Sequence, residues 1–176
     1  MAASPICAAI QRVETTLTEK PGLAVHADPP ALAVFTGGLA MEVRHPHGYT
    51  VATDMPKSLG GKADAVSPGW LMRAGLASCT ATVIALRAER LGIRLTRLEV
   101  TAGSRSDTRG MLGLDPAVAA GPLEIDLAVD VAAEGASEAA LAELVAWANR
   151  HSPIGDAVRR AMDVRLSVNG KPAAAH

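Results

Sequence analysis

The chain has 176 residues, 49% of them hydrophobic, and a formal net charge of −1. That length suits one domain with a sizeable core, and a near-neutral chain without a basic block argues against nucleic acid or an anionic membrane as the main partner. Only Phe35, Tyr49, Trp70 and Trp147 are aromatic, which removes base-stacking platforms and leaves the core to Ala, Val, Leu and Ile.

Cys7 and Cys79 are too few for a disulfide framework, and the opening MAASPICAAI lacks the charged start and long apolar run of a secretory leader. The expectation is a soluble protein of the reducing cytoplasm. Residues 1–10 are expected to be loosely held. From Gln11, Val13, Thr15 and Leu17 alternate with polar neighbours and predict a strand. Short extended pieces are expected at Leu23–His26, Ala31–Phe35, Ala40–Arg44 and Tyr49–Thr53, with turn residues at 28–30, 36–38 and 45–48 between them. Such pieces form an antiparallel meander, its last hairpin fixed in register by the His45–Gly48 turn. His45-Pro46-His47 offers two imidazoles without a third ligand close in sequence, so a solvated turn is favoured over a metal site. Asp54–Val66 is a polar loop. Its Leu59-Gly60-Gly61-Lys62 lacks the glycine spacing and the Lys-Ser/Thr pair of a phosphate loop, and reads as a flexible connection or pocket lip.

Ser67–Gly92 predicts one long helix with clear ends. Ser67 can cap the free N–H groups, Pro68 suits the first helical position, and Gly92 supplies the left-handed residue after the last turn. No charge occurs from Ala74 to Leu86, which predicts burial on most of the circumference, yet the uncharged run is short of the roughly 20 residues a membrane span needs. Small residues crowd its middle, so another backbone can approach. At about 100° per residue, Met72 and Leu86 lie close to the direction of Cys79, with Gly75 and Val83 beside them and Arg90 further along. From position alone the thiol reads as either a small core hydrophobe or a nucleophile.

Leu95, Leu98, Val100 and Ala102 then fit a strand. Ser104–Pro122 is a long connection with a turn of helix at Pro116–Ala119. Leu123–Ala132 alternates Glu124, Asp126 and Asp130 with apolar residues, a half-buried strand whose acids face water. Ser137 caps a second helix with Leu141, Leu144, Val145 and Ala148 as its apolar stripe, broken over Asn149–Ile154. A short helix at Asp156–Met162 and a strand through Val164, Leu166 and Val168 follow, and the tail Lys171–His176 is too short to pack. Trp70 and Trp147 read as core or interface packing. This order predicts a single α+β domain over 1–176 with an antiparallel sheet. One sheet covers one side of the long helix; the other side calls for a second partner, most simply another copy of the chain.

With these pieces in order, the chain resembles the osmotically induced and organic-hydroperoxide-resistance proteins (OsmC/Ohr). The matching residues are Leu59-Gly60-Gly61, Ser67-Pro68, Leu76-Ala77-Ser78-Cys79-Thr80, Gly92-Ile93 and His151-Ser152-Pro153-Ile154, spanning roughly 40 to 169. The resemblance implies an OsmC-like fold, antiparallel sheets wrapped around long central helices in an intertwined homodimer, with a thiol peroxidase site at the interface. In the family a cysteine on the long helix attacks the peroxide, and a second cysteine before a proline condenses with the resulting sulfenic acid. An Arg–carboxylate pair holds the first thiol as thiolate. No metal or cofactor is implied.

This chain keeps the first cysteine as Cys79 and departs elsewhere. Ser152 stands before Pro153, and a hydroxyl cannot form the resolving disulfide. Gly69 falls where the family has its glutamate. Motif alone does not fix the arginine; Arg44 is favoured over Arg90 and Arg73. Two readings follow. In one, Cys79 is a lone peroxidatic cysteine for a small hydroperoxide, Ser152 and His151 shape its surroundings, and an external thiol reduces it, with Cys7 a remoter resolving candidate. In the other, the dimer binds a small apolar ligand without turnover in a pocket formed by Met72, Val83, Trp70 and Cys79.

Overall fold

The computed structural model describes residues 4–160 and 162–172. The first element is a helix, α1 (Pro5–Glu19), in place of the loose end and strand expected there. Ser4 caps it by accepting from the Cys7 N–H, and Pro5 opens it. Ile6, Ile10, Val13 and Leu17 recur at helical spacing, which the shorter alternation at 13–17 concealed. Thr15, Thr16 and Thr18 suit it too, each hydroxyl donating to the carbonyl four residues back. The extended piece expected at Leu23–His26 is instead a single 3₁₀ turn over Pro21–Ala24, started by Pro21.

The meander is present as β1 (Leu32–Gly37), β2 (Ala40–Arg44) and β3 (Thr50–Thr53), a three-stranded antiparallel sheet. The His45–Gly48 turn does set the register: the Gly48 N–H donates to the His45 carbonyl and Arg44 pairs with Thr50. The loop that follows contains a 3₁₀ turn at Lys57–Leu59 and is tied back by a bridge between Thr53 and Val66.

The long helix α2 (Pro68–Leu91) has the ends its sequence predicts. Ser67 accepts from the Trp70 N–H, and Gly92 closes it at φ 67°. By length and apolarity α2 is comparable to a membrane-spanning helix, but it packs on protein. Next come β4 (Leu95–Ser106), a helical turn α3 (Thr108–Met111) and β5 (Pro122–Ala133), with β4 and β5 forming a second antiparallel sheet. The helical turn sits at Thr108 and not at Pro116–Ala119, because the Asp107 carboxylate accepts from the Arg109 N–H and starts it. The acids of β5 face outward: Arg105 pairs with Glu124 and Arg97 with Asp130 across the strands.

Helix α4 (Glu138–His151), capped by Ser137, runs three residues into the expected break. The break narrows to Ser152, and α5 (Pro153–Arg159) starts at once, earlier than the expected Asp156. Ser152 makes this possible by capping α5 and leaving Pro153 at its first position. The last expected strand shrinks to β6 (Ser167–Val168), paired with β7 (Lys171–Pro172). The tail residues 173–176 lie outside the described residues.

The core lies between α2, α4 and the β4–β5 sheet. Ile84, Ala88, Leu144 and Ala148 are its buried centre, with Leu98, Val100, Val129 and Trp147 packed around them. Helix α1 lies across the C-terminal end of α2, where Ser4 bonds to Glu89 and Arg90 pairs with Glu14 at 2.7 Å. The expectation of burial around most of α2 fails within one chain. Only Leu76, Thr80, Ile84 and Ala88 are buried, while Trp70 and Leu86 stay exposed. The β1–β3 sheet likewise has no extensive packing against the α2–α4–β4–β5 core. Its Phe35 and Tyr49 are 66% and 73% exposed.

Candidate functional site

Two local rules bring Cys79 and Ser152 together. Cys79 lies on α2, on the flank of the buried stripe set by Leu76, Thr80 and Ile84. Ser152 is the single residue between α4 and α5, and the packing of α4 on Ile84 and Ala88 returns it to the middle of α2. The Ser152 hydroxyl donates to Cys79 Sγ at 3.3 Å across 73 residues of sequence. Ser152 is fully buried, whereas Cys79 keeps part of its surface in contact with solvent. Ser152 Oγ also accepts from the Gly155 N–H at 3.3 Å and from the Thr80 hydroxyl at 3.4 Å. Gly75 makes room for the start of α5: a Cβ there would meet Ile154 Cδ1 at 3.3 Å.

Of the arginines considered for the site, none contacts the thiol among the described residues. Arg44 is on β2, exposed and paired with Glu42 at 2.5 Å. Arg90 is held by Glu14, and Arg73 donates to Ser104 Oγ at 3.0 Å. Among the described residues no guanidinium hydrogen-bonds the Cys79 sulfur. Val83 packs against the core cluster, Met72 is partly buried, and Trp70 is about half exposed. His151 is exposed and stacks on Trp147 at 3.9 Å, with its Nδ1 2.7 Å from the Trp147 carbonyl. Since a carbonyl only accepts, Nδ1 donates in that contact. Arg87 covers Trp147 at 4.5 Å, an arrangement that sequence spacing alone did not reveal. A groove of about 500 Å³ between β5 and α4 has Thr80, Leu127, Val129, Leu141 and Val145 in its walls. Thr80, in its wall, also contacts Ser152. Cys7 is a free thiol on α1, and no cluster of three or more metal-ligating side chains occurs among the described residues.

The loop before α2 is ordered by one carboxylate. Asp54 is buried, and its oxygens accept from the N–H groups of Met55 (2.7 Å), Lys62 (2.9 Å) and Asp64 (3.3 Å). Burial pushes its carboxyl up, but the N–H groups of Met55, Asp64, Lys62 and Ala63 outweigh burial and hold it below the ordinary aspartate value of 3.8. A group held lower in the folded state stabilises the fold above its unfolded value, and that contribution is lost as pH falls through the folded value. Exchange of the Lys62 and Asp64 amides, corrected for intrinsic rates, should therefore accelerate below pH 3.8. Protection that persists to the acid limit would show that the carboxylate is not what closes the loop.

A family model described as OsmC-like protein matches residues 61–167, a stretch that begins at Gly61 and includes α2, β4, β5, α4 and α5. No curated protein matches. Among solved structures, an organic hydroperoxide resistance protein OsmC from Legionella pneumophila is 25% identical, with a TM-score of 0.57, covering 76% of this chain and 92% of that one. An OsmC-like protein from Mycoplasma pneumoniae is 19% identical with a TM-score of 0.65, covering 77% of this chain and 89% of its own. An organic hydroperoxide resistance protein from Elizabethkingia anophelis, with thiocyanate bound, is 22% identical with a TM-score of 0.58, covering 77% and 90%. The fold is therefore OsmC-like, helices with antiparallel sheets.

Proposed function

This chain belongs to the OsmC-like protein family, and on that premise we propose that it is a thiol peroxidase for small organic hydroperoxides, using Cys79 as its one peroxidatic cysteine. The observation that carries the reading is the contact between Ser152 and Cys79, 3.3 Å apart in space and 73 residues apart in sequence. The Cys79 thiolate attacks the outer peroxide oxygen, the O–O bond breaks, and the alcohol leaves with a proton. The sulfur, oxidised by two electrons, is then a sulfenic acid. A small external thiol displaces water to form a mixed disulfide, and a second one releases Cys79 and leaves as its own disulfide. A reducing cytoplasm supplies both thiols.

The working form in this proposal is a homodimer built from a single OsmC-like domain per chain. What favours it is the unpartnered apolar surface: Leu32, Phe35, Tyr49 and Val51 on the first sheet, and Trp70 and Leu86 on α2. The partner's packing would also settle which arginine, Arg44 first, approaches the thiol and whether Met72, Val83, Trp70 and His151 line a substrate pocket. Sedimentation should give twice the chain mass of 18.0 kDa; a monomer at working concentration would remove this part of the proposal. Cys79→Ser should abolish thiol-dependent hydroperoxide consumption. Equal rates in the two proteins would instead leave a dimeric fold that binds a small apolar ligand at this interface without turnover.

A further inference from the structure

The contacts around Ser152 aim its hydroxyl at the Cys79 sulfur. A hydroxyl has two acceptor positions and one proton. The Gly155 N–H can only donate, and it takes one acceptor position of Ser152 Oγ. The Thr80 hydroxyl lies further off, at 3.4 Å, the longest of the three contacts. Ser152 is 0% exposed, so no solvent competes for what is left. The remaining partner is Cys79 Sγ at 3.3 Å. We propose that Ser152 is a positioning residue whose hydroxyl donates to the Cys79 sulfur and favours its thiolate. The role rests on the reading of Cys79 as the nucleophile, but it can be measured without peroxide.

A donor aimed at the sulfur stabilises the charged form over the neutral thiol, because the bond strengthens when the acceptor carries a full charge. Burial of the hydroxyl removes the water that would weaken that bond. The position that would hold a resolving thiol thus holds a group that supports the first thiol and leaves its oxidised form open to an external reductant.

The test is iodoacetamide alkylation of Cys79 against pH, in a Cys7→Ser background so that one thiol reports. Ser152→Ala should slow alkylation at neutral pH by about tenfold, the scale of one charge-assisted hydrogen bond, and move the whole profile to higher pH. Ser152→Thr, which keeps the hydroxyl and the cap of α5, should restore the original profile. An unmoved profile in folded Ser152→Ala overturns the proposal even if the parent consumes hydroperoxide. A moved profile with no consumption by the parent keeps the donor role and ends the peroxidase reading. Should Ser152→Ala fail to fold, Ser152→Gly decides: glycine also lacks the hydroxyl and is tolerated at a helix cap, and an unmoved profile in it overturns the proposal.

Discussion

Ser152→Cys should turn the Cys79 site into one that closes its own disulfide. Ser152 Oγ already lies 3.3 Å from Cys79 Sγ, and a cysteine's longer Cβ–S bond brings a second sulfur nearer still. An S–S bond needs about 2.05 Å, so a shift on the order of 1 Å suffices. Peroxide treatment of the variant should remove two hydrogen atoms from the protein mass and protect both thiols from alkylation. The parent under the same conditions should gain one oxygen or a mixed disulfide at Cys79. The bond would close a loop of 73 residues, for which the chain-entropy account gives about 4 kcal/mol of stabilisation, offset by any strain. The oxidised variant should therefore melt well above its reduced form. Peroxide-treated variant in which both thiols still alkylate would show that the two side chains do not meet in solution.

Gly61→Ala should be the most damaging single change in the loop before α2. A Cβ at Gly61 would stand 1.9 Å from the Met55 carbonyl oxygen and 2.5 Å from its carbon. These are backbone atoms, so no rotamer relieves the clash and the loop must open. Opening forfeits the Ala63 N–H bond to that carbonyl and strains the set of N–H groups gathered on Asp54. The cost should reach about 3 kcal/mol, the upper part of the overpacking range. Gly60 is the internal control. It sits at φ 88° with open space around it, so Gly60→Ala should cost only the left-handed penalty of about 1–2 kcal/mol. Denaturant unfolding of the two variants separates the cases; equal stabilities would mean that the Met55 carbonyl does not pack against Gly61.

Much of this molecule was legible because its signals are local. Ser67-Pro68 and Gly92 bound α2 in the structure as they do in the sequence, since a cap acts within a few residues of itself. The alternation at Leu123–Ala132 marked β5, and the His45–Gly48 turn fixed the register of β2 and β3. Ser4-Pro5 carried the same signature as Ser67-Pro68, but the alternating Val13, Thr15 and Leu17 favoured a strand, and α1 was missed. A few apolar residues at spacings of two and four fit both periods. Only the longer series from Ile6 to Leu17 separates them.

What the amino-acid order determined alone was the family, the element types from Leu32 through α4 apart from the short helical turn before β5, and Cys79 and Ser152 as the residues to watch. It did so because caps, periodicity and motif spacing are properties of neighbours along the chain. The tertiary structure decided that these two side chains touch, that Thr80 and Gly155 converge on the same hydroxyl, and that Arg44, Arg73 and Arg90 are engaged elsewhere within one chain. It also left Trp70 and Leu86 on α2, and Phe35, Tyr49 and Val51 on the first sheet, exposed within one chain. Contacts between distant residues depend on how α4 packs against α2, and no local pattern encodes that distance.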